Sequence, residues 1–454
     1  MVMPKMRLLF SLLFAVLCLS TSAADTNSLV WHKAAGRVDA DIHGVALWPL
    51  LETIARDTGW HIFVEPGAAR NASAKFKDLP ADDALRMLLG KLNFALVPGT
   101  NGPVRLYVFT TRMENATQPV RASRAPPKHV PNQLLVKVKP GTDIDALAKL
   151  IGAKIIGRDD KLGIYQLQFA DAAATDAALG QLKSNSDVLA VDYNYYFDPP
   201  VASQLVANPS TAPLILKLDP PNDSSDPCHV TVGLIDTSLQ SLGSQLDQFV
   251  VKSIPVAGDA KPDPANPTHA TGMLYNLLYS ASQAAHGNSS LRVVAVDVYG
   301  PNPTTTSWDV ALGVQAAVNN GANILNMSLG SGGDSSVLDA VIKQAIADGV
   351  MVFAAAGNEP VDTATYPGAI PGVNAVTATQ NGQLAPYADY GSFVSMALPG
   401  ANLVNFGNQT YVFQGTSVST ALATGVAAGT KGAACVPWAQ IQSAMLQKFP
   451  VPQK

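Results

Sequence analysis

Gly415-Thr416-Ser417-Val418-Ser419-Thr420-Ala421 runs into a stretch of mostly small apolar residues, Leu422 to Ala428. The pattern predicts a tight turn entering a small-residue helix, with Ser417 in the first turn. A hydroxyl there meets free backbone N–H groups and the positive end of the helix dipole, where a developing oxyanion needs them. Gly-Thr-Ser is also a common turn. The motif therefore decides nothing until an acid, a base and an amide donor are found upstream.

Three upstream stretches supply them. Val232-Gly233-Leu234-Ile235-Asp236-Thr237 reads as a short buried strand delivering Asp236 at its C-terminal tip. His269-Ala270-Thr271-Gly272 opens an apolar run, Met273 to Leu278, compatible with a buried helix. Met351-Val352-Phe353-Ala354-Ala355-Ala356-Gly357-Asn358 is a second buried-strand pattern, and it ends on a side-chain amide. Acyl transfer to a serine wants these four groups: a hydroxyl nucleophile, an imidazole base, a carboxylate fixing the imidazole tautomer, and an amide donor. Taken singly, Asp236 reads equally well as a strand-end cap, Asn358 as a turn residue and Ser417 as a helix cap. Their joint occurrence points to chemistry.

The chain order Asp236, His269, Asn358, Ser417 resembles that of the subtilases, the subtilisin-like serine proteases. Ala322-Asn323-Ile324-Leu325-Asn326-Met327-Ser328-Leu329-Gly330 looks like the family's segment lining the substrate cleft. Tyr366-Pro367, Tyr390-Gly391 and Ala397-Leu398-Pro399-Gly400 fall at similar landmarks. The resemblance covers about residues 214–450. It implies an α/β fold, a mostly parallel sheet flanked by helices, with the site at the carboxyl ends of strands. It further implies a catalytic triad of Asp236, His269 and Ser417, Asn358 in the oxyanion hole, and a cleft lined by Ser328, Leu329, Gly330, Ala355 and Gly357. That lining is small and uncharged, which suggests an apolar or aromatic residue before the scissile bond and argues against dibasic specificity.

Several positions depart from the family pattern. Ala270 and Gly272 stand where a glycine and a second histidine are usual; Val418, Ser419 and Ala421 replace methionine, alanine and proline; Ser238 replaces a glycine. All four chemical groups survive, so the resemblance implies a working serine endopeptidase acting on proteins or peptides. The departures leave open an alternative, an impaired pseudoprotease acting as an envelope binding protein. His229 and His286 are the other histidines of the region, and only His269 is placed to serve as base.

Lys5 and Arg7, the apolar run Leu8 to Leu19, and Ser22-Ala23-Ala24 read as a secretory signal peptide over residues 1–24, implying export to the medium or a periplasm. Net charge is −4 and no Lys/Arg run occurs, so nothing suggests nucleic acid as a partner. No later stretch is apolar enough to span a bilayer; Thr416–Val436 is interrupted by hydroxyls and Lys431. Loss of the leader leaves Cys228 and Cys435. In a subtilase arrangement both would lie opposite the active site, making a disulfide geometrically reasonable. Such a loop is worth roughly 5 kcal/mol in the chain-entropy model. The alternative is two separately buried thiols.

Two smaller α+β units precede the protease region. In residues 25–118, Leu47, Leu50, Leu51 and Ile54 form one helical stripe, and Ala81, Ala84, Leu85, Leu88, Leu89 and Leu92 a second. Strands are expected at His61–Val64, Phe94–Val97 and Arg105–Phe109. This module resembles the small N-terminal domain of secretins and TonB-type outer-membrane receptors, implying a cell-envelope protein as partner. A Pro-containing linker (119–130) leads to residues 131–200. Their strand–helix–strand–strand–helix–strand order resembles a subtilase prodomain, which implies that the chain's own prodomain occupies the cleft and is cut off near residue 200. A maturation linker (201–213) and the protease domain (214–454) follow. No cofactor is required by this reading; the resemblance leaves calcium binding open, with no site assigned.

Overall fold

A computed structural model describes residues 27–32, 35–98, 104–120, 127–198, 200–206, 218–219, 228–285 and 291–453. The expected signal peptide, His286, the centre of the first linker and most of the second lie outside these residues. The chain divides into two units, one ending at Val120 and one beginning at Arg121.

In the first unit, β1 (Ser28–His32), β2 (Arg37–Ala46) and β4 (Asn71–Pro80) form an antiparallel sheet, while β5 (Asn93–Val97), β6 (Arg105–Phe109), β3 (His61–Val64) and β7 (Gln118–Val120) form a mixed one. Helix α1 (Leu47–Thr58) buries Leu47, Leu50, Leu51 and Ile54, the expected stripe, and stops at Gly59 in a left-handed conformation. Helix α2 (Ala81–Leu89) buries Ala84, Leu85, Leu88 and Leu89 and starts with Asp82 and Asp83, favourable at the positive helix end. Three corrections follow. The whole β1-β2-β4 sheet was not anticipated. Leu92 lies in the turn after α2 rather than on it. Pro119 and Val120 pair with β3, so the module ends at Val120 instead of residue 118.

Glu65 ties the end of β6 down. Its carboxylate accepts from Thr110 N (2.6 Å), Thr110 Oγ1 (2.7 Å), Thr111 N (2.9 Å) and Thr111 Oγ1. These four donors hold the carboxyl down from 4.5 to about 2. A depressed carboxylate stabilises the fold above its unfolded value and loses that contribution as pH falls through the folded one. Hydrogen-exchange protection of the Thr110 and Thr111 amides is therefore expected to decline as pH drops from 4.5 towards 2, and Glu65→Gln should abolish that dependence.

The second unit opens with β8 (His129–Val138), α3 (Ile144–Leu150), β9 (Lys154–Asp159), β10 (Ile164–Gln168), α4 (Ala172–Lys183) and β11 (Val188–Phe197). The sheet order β11-β8-β10-β9 is antiparallel throughout. This is the expected prodomain-type order, except that β8 starts at His129, so the first linker is shorter than residues 119–130.

The remaining chain builds one large sheet, in the order β14 (Val250–Pro255), β15 (Arg292–Asp297), β13 (Thr231–Asp236), β17 (Ile324–Met327), β18 (Met351–Ala355), β19 (Asn374–Gln380) and β20 (Gln383–Leu384), with β21 (Met396–Pro399) also on β19. Every pairing is parallel except β19 with β20. The central strands β15, β13, β17 and β18 are buried almost end to end because both faces are covered, whereas the edge strand β14 is largely exposed. On β13, Val232 and Leu234 enter the core with α6 (His269–Ala285) and α9 (Thr416–Ala434), while Ile235 enters the opposite core with α7 (Ser307–Asn319) and α8 (Ser336–Ala347). On β18, Met351 and Phe353 alternate with Val352 and Ala354 in the same way.

Small residues let α6 and α9 cross closely. A Cβ on Gly425 would lie 2.0 Å from Ser280 Oγ, and one on Gly429 would lie 2.4 Å from the Ala281 carbonyl oxygen. The small-residue run after Ser417 is thus what brings the His269 helix and the Ser417 helix together. At the far end of α9, Cys435 pairs with Cys228 at a Cα separation of 4.9 Å. Four further strands complete the unit: the hairpin β22 (Ala401–Phe406) with β23 (Gln409–Gln414), and the two-residue strands β12 (Gln204–Leu205) on β23 and β16 (Thr305–Thr306) on β11. Helix α10 (Trp438–Lys448) closes the chain. No helix among the described residues is long and apolar enough to cross a membrane.

Candidate active site

Because β13, β17 and β18 are neighbours and parallel, their carboxyl ends lie side by side. Asp236 ends β13, Ser328 follows β17, and Asn358 sits in the loop three residues past β18. His269 and Ser417 enter from the first turns of α6 and α9. Asp236 is 2% exposed, and His269 and Ser417 are each 7% exposed.

The buried carboxylate fixes the ring. His269 Nδ1 is 2.8 Å from Asp236 Oδ1 and 2.9 Å from Oδ2. An ionised carboxylate only accepts, so Nδ1 carries the proton and Nε2 is left as the basic nitrogen. The carboxylate is itself held, since Thr237 N donates to Asp236 Oδ1 at 2.7 Å. Thr237 Oγ1 accepts from Ala270 N at 3.0 Å, tying the start of α6 to the tip of β13. Beside it, burial pushes the Asp297 carboxyl up, against the opposing pull of the Tyr299 and Gly300 amides.

The amide is oriented as firmly. Asn358 Oδ1 accepts from Thr416 N (2.9 Å) and from Thr416 Oγ1 (3.1 Å), and Thr416 Oγ1 accepts from Gly357 N (3.2 Å). A backbone N–H can only donate, so the oxygen must face Thr416 and the Nδ2 donor is the end left for the cavity. That cavity, about 280 Å³, is lined by Ser417, Asn358 and all five expected cleft residues: Ser328, Leu329, Gly330, Ala355 and Gly357. Ser417 Oγ donates to the Ser328 carbonyl at 3.1 Å, and among the described residues no hydrogen bond joins it to His269. Sequence reasoning had given no role to Thr237 or Thr416, because a positioning hydroxyl next to a functional residue leaves no periodic signal.

Comparison with known proteins agrees with this geometry. The subtilase family profile matches residues 228–450, and that of the fervidolysin N-terminal prodomain matches residues 115–194. Subtilisin Savinase of Lederbergia lenta is 32% identical over 187 residues, which cover 39% of this chain and 70% of that protein. The chain belongs to the subtilase family. A thermostable alkaline protease of Halalkalibacterium halodurans is 36% identical over 167 residues, covering 36% of this subtilase and 46% of the relative. The chain spans about half the length of the first curated relatives it matches. Fervidolysin from Fervidobacterium pennivorans, described as a keratinolytic enzyme related to subtilisin, shares the fold with a TM-score of 0.54 at 15% identity, over 71% of this chain and 58% of that one.

Two of the departures from the subtilase pattern, Gly272 and Ser419, have physical reasons in the packing. A Cβ on Gly272, where the second histidine is usual, would lie 2.3 Å from Phe413 Cε1, so the Phe413 ring fills the space a side chain would occupy. Ser419 Oγ lies 3.0 Å from the carbonyls of both Leu398 and Pro399, fastening α9 to β21. Val418 and Ala421 are simply buried against the core.

Proposed function

We propose that this subtilase is the zymogen of a serine endopeptidase. The observation that carries the reading is a serine hydroxyl and a pinned amide lining one cavity, with a carboxylate-oriented imidazole at the start of the helix that packs closely on the serine's own. In this reading the Ser417 hydroxyl turns from the Ser328 carbonyl to His269 Nε2, which takes its proton as Oγ attacks a peptide carbonyl. Asn358 Nδ2 donates to the oxyanion, and His269 returns the proton to the leaving amine, Asp236 remaining ionised throughout. These protein groups supply the whole reaction, so no cofactor enters a step, and calcium is given no role.

The prodomain-type sheet is the chain's own inhibitor. Its last strand β11 docks on the protease part: Asp192 Oδ2 accepts from Ser336 N (2.8 Å) and Asn194 Oδ1 from Trp308 N (3.1 Å), each in the first turn of a helix. Phe197 is fully buried in the core shared with Tyr299, Trp308 and Leu329. Substrates are proteins or peptides, and the uncharged cleft residues Ser328, Leu329, Gly330, Ala355 and Gly357 favour an apolar residue before the scissile bond. Export rests on the sequence of residues 1–24, and an envelope partner for the first unit rests on its sequence pattern. The pseudoprotease alternative has no observation in its favour, since Gly272 makes room for Phe413 and removes none of the four reacting groups.

A serine-directed fluorophosphonate tests the reading. It should label the wild-type chain once the prodomain has been removed, and a chain that neither labels nor hydrolyses casein after that treatment would overturn it. Asn358→Ala should lower kcat roughly 10²–10³-fold with KM little changed, the loss measured for an oxyanion donor in a subtilisin. A KM effect instead would move Asn358 from oxyanion donor to ground-state contact.

A further inference from the structure

Residues on both sides of the β11–β12 connection are gripped by the protease part. On the upstream side Tyr196 and Phe197 pair with Thr306 and Thr305, Ser331 Oγ donates to the Tyr196 carbonyl at 2.8 Å, and Tyr299 OH donates to the Asp198 carbonyl at 3.2 Å. On the downstream side Gln204 and Leu205 pair with Val412 and Tyr411, and Val206 N donates to the Thr410 carbonyl at 2.9 Å. Strand β23 leads within three residues to Ser417, so both grips are anchored to walls of the cleft. Pro200 and Val201 line the cavity that holds Ser417 and Asn358. Leu205 is exposed, so the downstream grip is made by backbone, not by a side-chain pocket.

We infer that Val201–Ala202 is the bond this subtilase cuts in itself, and that pairing of β12 with β23 sets the register that delivers it. The inference rests on the peptidase reading above. Only bonds between Asp198 and Gln204 can reach Ser417 while both grips hold. Asp198–Pro199 and Pro199–Pro200 carry a tertiary nitrogen. In Pro200–Val201 the residue before the bond is proline, which has no N–H to offer the cleft carbonyls. Of the three bonds left, Val201–Ala202 follows a residue that lines the cavity beside Leu329, Gly330, Ala355 and Gly357, whereas neither Ala202 nor Ser203, which precede the other two, lines it. Val201 is 46% exposed, so its side chain is not yet enclosed by the cleft and the reaction includes its seating there.

The chemistry balances with one water. Ser417 Oγ gives its proton to His269 and bonds to the Val201 carbonyl carbon; the C–N bond to Ala202 breaks, and the Ala202 amine takes the proton. Water then hydrolyses the Val201 ester, restoring the Ser417 hydroxyl and leaving a Val201 carboxylate.

The test is mass spectrometry of both fragments at early times, in the full chain, with fluorophosphonate labelling and casein hydrolysis measured alongside. The expected result is an upstream fragment ending at Val201 and a downstream one beginning at Ala202, neither appearing in Ser417→Ala. A labelled, casein-cleaving enzyme whose first cut lies elsewhere would overturn the assignment and leave the peptidase reading standing. Absence of labelling, casein hydrolysis and self-cutting together would overturn both. Val206→Pro removes the donor to Thr410 and should slow the first cut roughly three- to tenfold or scatter its position, the effect of one lost backbone hydrogen bond. Val206→Ala keeps the N–H and should process as wild type. Unchanged rate and position in Val206→Pro would sink the register role of β12.

Discussion

Replacing Ser417 by alanine is expected to lower peptide hydrolysis by roughly 10⁶-fold, the loss a subtilisin shows when its nucleophile is removed. The size follows from how the groups act. Without Oγ there is no acyl-enzyme, so His269 has no hydroxyl to deprotonate and Asp236 has no imidazolium to stabilise. What remains is the cavity and the Asn358 donor, which alone can hold rates roughly 10³–10⁴ above water. Stability should change little. The variant loses the hydrogen bond from Ser417 Oγ to the Ser328 carbonyl, about 1 kcal/mol, but keeps the one from Ser328 Oγ to the Ser417 carbonyl. A thermal melt within a few degrees of wild type, with hydrolysis at background, is the expected pair of results. Hydrolysis within tenfold of wild type would mean that another residue is the nucleophile.

What could be read from sequence divides along physical lines. Strands β13 and β18 were legible because both faces are buried, which leaves uninterrupted apolar runs. The helices of the first unit were legible because their stripes recur at helical spacing. Strand β2 was not anticipated, although Val38, Ala40 and Ile42 alternate with Asp39 and Asp41 and are buried. There the carboxylates masked a period-two signal that was present. Strands β12 and β16 have two residues each, too few to carry any period, and they exist only because a distant segment lies beside them.

The site divides in the same way. The four reacting groups announce themselves by type and by their place at helix starts, at a strand tip or, for Asn358, in the loop just past one. Thr237 and Thr416 do not, because their contribution is a direction imposed on a neighbour's hydrogen bond. Gly272 was visible as a departure, but its reason, the Phe413 ring, lies far along the chain. Nothing in either local sequence links the two.

Asp236→Asn is expected to lower kcat by roughly 10⁴-fold with KM nearly unchanged, and the cause is a tautomer. Thr237 N donates to Asp236 Oδ1 at 2.7 Å, and a backbone N–H cannot accept, so an asparagine there must keep its oxygen in the Oδ1 place. Its NH₂ group then takes the place of Oδ2, 2.9 Å from His269 Nδ1. Two facing donors repel, so Nδ1 gives up its proton and Nε2 gains one. The nitrogen that should receive the Ser417 proton is then already occupied. Bulk, burial and fold are nearly those of wild type, which separates this loss from unfolding. The ¹⁵N chemical shifts of the His269 ring give a readout that a merely structural role would not move: Nδ1 protonated in wild type, Nε2 protonated in Asp236→Asn. If kcat falls while the proton stays on Nδ1, Asp236 acts through the charge of the imidazolium instead of through its tautomer. If kcat stays within tenfold of wild type, the carboxylate is a strand-end cap and the base is oriented by something else.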